Sequence, residues 1–216
     1  MIADWTVEVS ALSPWIDVPW EGWVDLCGAR GAPDCAWHEE RARALSEVEA
    51  YPELLRILEC ANGADTFTSK VDVFPVGASE VDPEISEAGE AGSRCGLGSY
   101  VDLVAARGDL FCTFARCEAL ARSTARALGA IECPGSCVEI VLRPARVFGR
   151  EGFGWTIYTM GFGPDEVSAR VTWARAAQVA VEVFLKEESF MIHRDVDERF
   201  AKVRDAVEVP GICEGE

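Results

Sequence analysis

Three arginines, Arg143, Arg146 and Arg150, leave one apolar strand pattern and line the turn that follows it. Clustered guanidinium groups can grip a carboxylate or phosphate bidentately, because their planar N–H forks match two oxygens at once. In a chain of formal net charge −17 the same arginines have a second use, pairing with the protein's own surplus acids. Trp155, a few residues further on, would wall a pocket beside them. A ligand of this cluster would be a small anion or an acidic segment.

The nine cysteines invite a metal reading. Cys133-Pro-Gly-Ser-Cys137 brings two thiols onto one turn, Cys112 and Cys117 lie at an element junction, and Cys27, Cys35 and His38 form a loose third group. Zinc needs four ligands converging in a tetrahedron, usually announced by two close Cys-x-x-Cys pairs. No second pair of that kind accompanies Cys133 and Cys137. The expectation is buried, reduced thiols and no metal, with Cys133 and Cys137 the first ligands to examine if one is bound.

Catalytic signals are weaker. His38 and His193 are the only histidines, and no Gly-x-Ser-x-Gly elbow exists to present a nucleophile. Gly96-Leu97-Gly98 and the two Gly-Phe-Gly triplets lack the full phosphate-loop fingerprint. Asp165-Glu166 suits the positive end of a helix better than acid–base work. Arg107-Gly108-Asp109 reads as a hairpin turn. No catalytic residue is assigned and no cofactor is expected.

Charge bounds the partners. Ser99 to Glu187 holds ten acidic and ten basic side chains, so the flanks carry the whole net charge of −17. Such acidity works against nucleic acid and against anionic membrane surfaces, and favours a basic protein partner. No apolar run is long enough for a membrane helix, and the first residues do not resemble a secretory signal, so a cytoplasmic location is expected.

Positioning these residues falls to elements read from periodicity. The first 40 residues hold five of the seven tryptophans, interrupted by Pro14, Pro19 and Pro33, and read as an irregular arm with a short strand at Thr6–Val9. Each indole can bury on the order of 200 Å², so the arm, Trp20 and Trp23 included, must lie on its own domain or on a partner. Helices are expected over Glu39–Glu49 and from Pro52 to Ala61, ended by Asn62-Gly63. A half-buried strand follows at Phe67–Val73, then a mobile acidic loop at 76–98. Tyr100–Ala105 and Leu110–Ala115 read as a hairpin. Next come a helix over Cys117–Leu128, strands at Val138–Leu142 and Phe153–Ile157, and a long helix from Pro164 to Lys186. Asp195 with Glu198 resembles a capping box opening a separate terminal helix. The long helix is apolar around most of its girth, Val171 and Trp173 included, so a second layer must cover it: the arm or a second subunit.

Together these elements predict an α+β fold, an antiparallel sheet of about five or six strands with helices mainly on one face, plus the Trp-rich N-terminal arm. The domain reading is an arm at 1–40 and one domain at 41–216. The order α-β-β-β-α-β-β-α resembles that of the acidic, dimeric type III secretion chaperones; the likeness is one of element order alone, and no residue role comes with it. The leading functional expectation is a non-enzymatic protein-binding module of adaptor, chaperone-like or immunity type, with a homodimer among the expected states. The alternative is a small-anion-binding domain or enzyme with a pocket near Arg143, Arg146 and Trp155, and the candidate binding residues are those three with Arg150, Trp20 and Trp23.

Overall fold

Two long strands, β5 (Ser136–Val147) and β6 (Arg150–Gly163), form the middle of the molecule. They are joined by a two-residue turn in which Phe148 and Gly149 both take left-handed backbone, φ 48° and 80°. Two positive φ values match the turn to the twist of the strands, which is why a glycine stands there. The computed structural model describes residues 1–26, 37–62, 66–76, 93–106 and 108–206, excepting the side chains of residues 67 and 190–206.

Around this hairpin the chain adds β1 (Ile2–Val7), β2 (Ile16–Val18), β3 (Thr66–Val76) and β4 (Cys95–Ala105). The strand order is β1-β5-β6-β4-β3, with β2 also pairing with β5. β1 and β2 run parallel to β5 and all other pairs are antiparallel, so the sheet is mixed and mostly antiparallel. β5 runs on past Leu142, where the sequence pattern would end it, and through Pro144. Pro144 lies where β1 has stopped, at Leu142, and β2 has not begun, at Ala145, so its missing N–H breaks no pair with either.

Among the described residues six helices complete the α+β fold: α1 (Glu39–Arg43), α2 (Ser46–Ala50), α3 (Leu54–Ala61), α4 (Gly108–Phe111), α5 (Phe114–Gly129) and α6 (Glu166–Ala206). Alternate residues of the central strands meet α3, α5 and α6 in one core. Val101 and Leu103 of β4, Ile140 and Leu142 of β5, and Trp155 and Ile157 of β6 are buried there with Leu58, Leu120, Trp173 and Phe184. The large rings are pinned by geometry as well as area. Trp155 stacks edge-on against Phe184 at 5.0 Å and donates its indole N–H to the Cys117 carbonyl, while Trp173 donates to the Ser99 hydroxyl at 2.8 Å. α6 crosses so close to β6 that a Cβ on Gly161 would collide with the backbone of Trp173.

Several sequence expectations change here. The hairpin at Tyr100–Ala105 and Leu110–Ala115 does not form: β4 starts earlier, at Cys95, and Leu110 falls in the short helix α4. Leu110, Phe111, Phe114 and Cys117 recur at helical spacing, and Cys117 donates its thiol back to the Leu110 carbonyl. The third strand of the chaperone-like order is therefore missing. Of the loop expected at 76–98, Val76 belongs to β3 and Cys95–Gly98 to β4, while 77–92 lies outside the described residues. The helix expected over Glu39–Glu49 is broken into α1 and α2.

At the end of α3, Asn62 stays at negative φ and acts through its side chain. Its amide donates to the Leu58 carbonyl and the Thr68 hydroxyl, and its carbonyl accepts the Thr68 N–H. No separate terminal helix opens at Asp195, because α6 runs unbroken through it. Nor is α6 buried all round, since Val171 is 65% exposed. Its Trp173 side faces the sheet, and α3 and α5 of the same chain pack against it beside that contact.

Candidate functional site

The face of the sheet opposite α3, α5 and α6 carries the residues that the core did not take. Because side chains alternate across a strand, the pairing register orders them into rows. One row runs Ile2, Cys137, Met160, Gly98, Phe74 from edge to edge. The next runs Asp4, Glu139, Tyr158, Tyr100, Asp72. A third holds Thr6, Val141, Thr156 and Asp102. The face thus passes from an apolar row to an acidic and aromatic one, then to a polar one.

Local sequence explains the relief. A Cβ on Gly98 would sit 2.5 Å from the Phe74 ring, so glycine lets that ring lie flat on the neighbouring strand. Phe74, Met160, Tyr100 and Tyr158 keep part of their surface in solvent, and Ile2 is 46% exposed. At the lower end the face is closed: Ile16 of β2 packs over Gly154, and Phe111 of α4 over Gly152. The Trp20 and Trp23 indoles donate to the Ser69 and Thr68 carbonyls of β3, which ties the segment after β2 to the opposite edge.

The polar groups form a chain across this face. Glu8 accepts from Arg143, which donates at 3.1 Å to the Tyr158 hydroxyl; the Tyr158 and Tyr100 rings stand 5.9 Å apart; and Lys70 lies 5.6 Å from the Tyr100 ring centroid. Burial pushes the Tyr100 phenol up from its ordinary range, against the pull of Lys70, and the hydrogen bond to Tyr100 holds the Lys70 ammonium more firmly protonated. Thr156 donates to Asp102 at 2.6 Å, yet burial outweighs that bond and raises the Asp102 carboxyl. Asp4, Asp72 and Glu139 make no ion pair among the described residues. Asp4 and Asp72 instead accept the backbone N–H of the next residue, and Glu139 accepts from the Thr6 hydroxyl.

The arginines expected to act together are separated. Arg143 and Arg146 are three apart on β5, so alternation sends them to opposite faces. Arg143 joins Glu8 and Tyr158; Arg146 lies near Asp17 and Glu151 and over the Trp15 ring; Arg150 reaches Cys112, in the turn just after α4. Trp155 is sealed in the helix-side core, and Trp20 and Trp23 sit at β3.

Cys133 and Cys137 are buried free thiols, the latter's pKa pushed up to about 11 by burial. No group of three or more His, Cys, Asp or Glu that could hold a metal occurs among the described residues. His193 lies on α6 with its side chain outside the described set, and Cys27 and Cys35 lie outside the described residues altogether.

Cavities among the described residues lie elsewhere. One of about 540 Å³ is lined by Tyr51, Arg94, Leu97, Glu166 and Arg170, and one of about 80 Å³ by Trp20, Leu45, Leu58 and Val71. Arg143, Arg146, Arg150 and Trp155 line neither. Sequence reasoning missed Phe74, Tyr100, Tyr158, Glu139 and Met160. The signal for them was the alternation within each strand, but the rows exist only once the register is known.

No helix among the described residues is long and apolar enough to cross a membrane. Comparison with models of protein families, with curated proteins and with solved structures finds no match to this chain.

Proposed function

We propose that this chain is a non-enzymatic protein-binding module that engages its partner on the open face of the sheet. The observation that carries the reading is the row pattern: Ile2, Met160 and Phe74 beside Asp4, Glu139, Tyr158, Tyr100 and Asp72. Tyrosines and flat apolar side chains next to polar groups are what interface cores are made of. Of the N-terminal 40 residues, β1 in this reading supplies one edge of the face, and the segment from β2 to Trp23 closes its lower end, with Trp20 and Trp23 as its anchors. The reading of a small-anion site or enzyme around Arg143, Arg146 and Trp155 is the second one, because alternation puts Arg143 and Arg146 on opposite faces of the sheet and Trp155 is sealed in the helix-side core.

The test is a photo-crosslinking amino acid placed at Tyr100 and, separately, at Val167 on the outer side of α6. Specific adducts from position 100 and none from 167 support the reading. Adducts from 167 alone would refute it.

A further inference from the structure

From the chemistry of the rows we infer that the occupant of the open face is a cationic amphipathic helix of a partner protein. This rests on the binding role proposed for that face and specifies what it binds.

The first argument is that a strand cannot add at the sheet edges. β1 and β3 are the outer strands, and an outer strand normally offers free N–H groups to an incoming one. Here the Trp5 N–H is bonded to the Asp4 carboxylate at 2.7 Å and the Val73 N–H to the Asp72 carboxylate at 2.8 Å. Trp20 and Trp23 occupy the Ser69 and Thr68 carbonyls, and Pro75 removes a further donor from β3. The partner must therefore lie on the face and satisfy its own backbone, which a helix does.

The second argument is charge. Asp4, Glu8, Asp72, Asp102 and Glu139 stand on this face against Lys70 and Arg143. Asp4, Asp72 and Glu139 have no ion pair among the described residues and flank two tyrosine rings in a single row. Arg143 and Lys70 already lie over the two rings, so lysines or arginines of a partner above that row meet the three carboxylates. A second copy of this chain would instead oppose acids to acids.

The third argument is the apolar row beside the acidic one. Ile2, Met160 and Phe74 span five strands, about 19 Å between the outer axes, and a helix of roughly 14 residues covers that distance. Its apolar stripe lies on this row while its cations reach the next, one side-chain spacing away.

The experiment titrates the full chain with three labelled peptides. One is a leucine–lysine peptide patterned as an amphipathic helix, the second a scramble of it, and the third its leucine–glutamate counterpart. The patterned basic peptide is expected to bind at least tenfold tighter than the scramble. That affinity should fall at least tenfold with Phe74→Ser and several-fold with Glu139→Gln, which keeps the acceptor for Thr6, and should not change with Val171→Ser.

Equal binding of the scramble would overturn the inference, because net charge alone would then suffice. If Phe74→Ser instead releases the acidic peptide, the face stands as a docking surface and the cationic assignment falls. If no peptide responds to Phe74→Ser or Glu139→Gln, both fall.

Discussion

The two faces of one sheet are built from the same strands and have opposite characters. On the helix side, Trp155, Ile157 and Leu103 are sealed under α5 and α6, and Gly161 lets α6 approach to backbone contact. On the other side, the residues between them, Tyr158, Thr156 and Asp102, carry hydrogen-bonding groups, Tyr158 and Asp102 half-buried and Thr156 fully buried. One face spends its residues on packing, the other on chemistry. Stability and recognition are therefore separable in this molecule, position by position along a single strand.

The strongest test of that separation compares two nearby residues of β6. Trp155→Ala should cost about 3–5 kcal/mol, since it empties a fully buried site and removes the bond to the Cys117 carbonyl. Three positions away, Tyr158→Ala on the open face should cost no more than about 1 kcal/mol. Denaturant melts of both variants check this, and equal losses would mean that the open face is part of the core. A smaller effect is expected at the contact itself. Gly161→Ala should cost about 2–3 kcal/mol, because the new methyl meets the main chain of α6 and not a movable side chain. A neutral outcome in thermal unfolding would show that α6 can shift on the sheet.

The smallest effect separates the faces by pH. Burial raises the Asp102 carboxyl above its unfolded range, so the folded state holds that proton more tightly. The associated stability is fully present below the ordinary aspartate value of 3.8 and is lost as pH rises through the folded value. Asp102→Asn avoids the loss and can still accept from Thr156. Its melting temperature should exceed the parent's by about 2–5 °C at neutral pH, with the difference closing in acid. A gap of the same size at low pH would contradict the desolvation argument.

Much of the helix side was legible in the sequence. Cys117, Leu120, Thr124 and Leu128 recur at helical spacing and form the buried face of α5, and the apolar alternation at Val138–Leu142 and Phe153–Ile157 marks the central hairpin. Short apolar runs were ambiguous: Leu110–Ala115 fits a strand or a helix until Gly108–Phe111 is seen to coil beside β6. The first strand was placed a few residues late, because Ile2–Val7 owes its conformation to pairing with β5 and not to local pattern. The open face was illegible for the same reason. Nothing local places Asp4 beside Glu139, or Tyr100 beside Tyr158; only strand order and register do. The separation of Arg143 from Arg146 was within reach, since an odd spacing on a strand means opposite faces.

The most direct measurement sets the open face against another exposed apolar surface, the outer side of α6, where Val167 and Val171 are 74% and 65% exposed. Two double variants, Phe74→Ser with Met160→Ser and Val167→Ser with Val171→Ser, remove apolar side chains from the two surfaces. Partner recovery by each is compared with the parent chain after both are shown to melt normally. The expected result is loss of the partner with the first pair and full retention with the second. Retention with the first pair and loss with the second would place recognition on α6 and contradict the assignment of binding to the sheet.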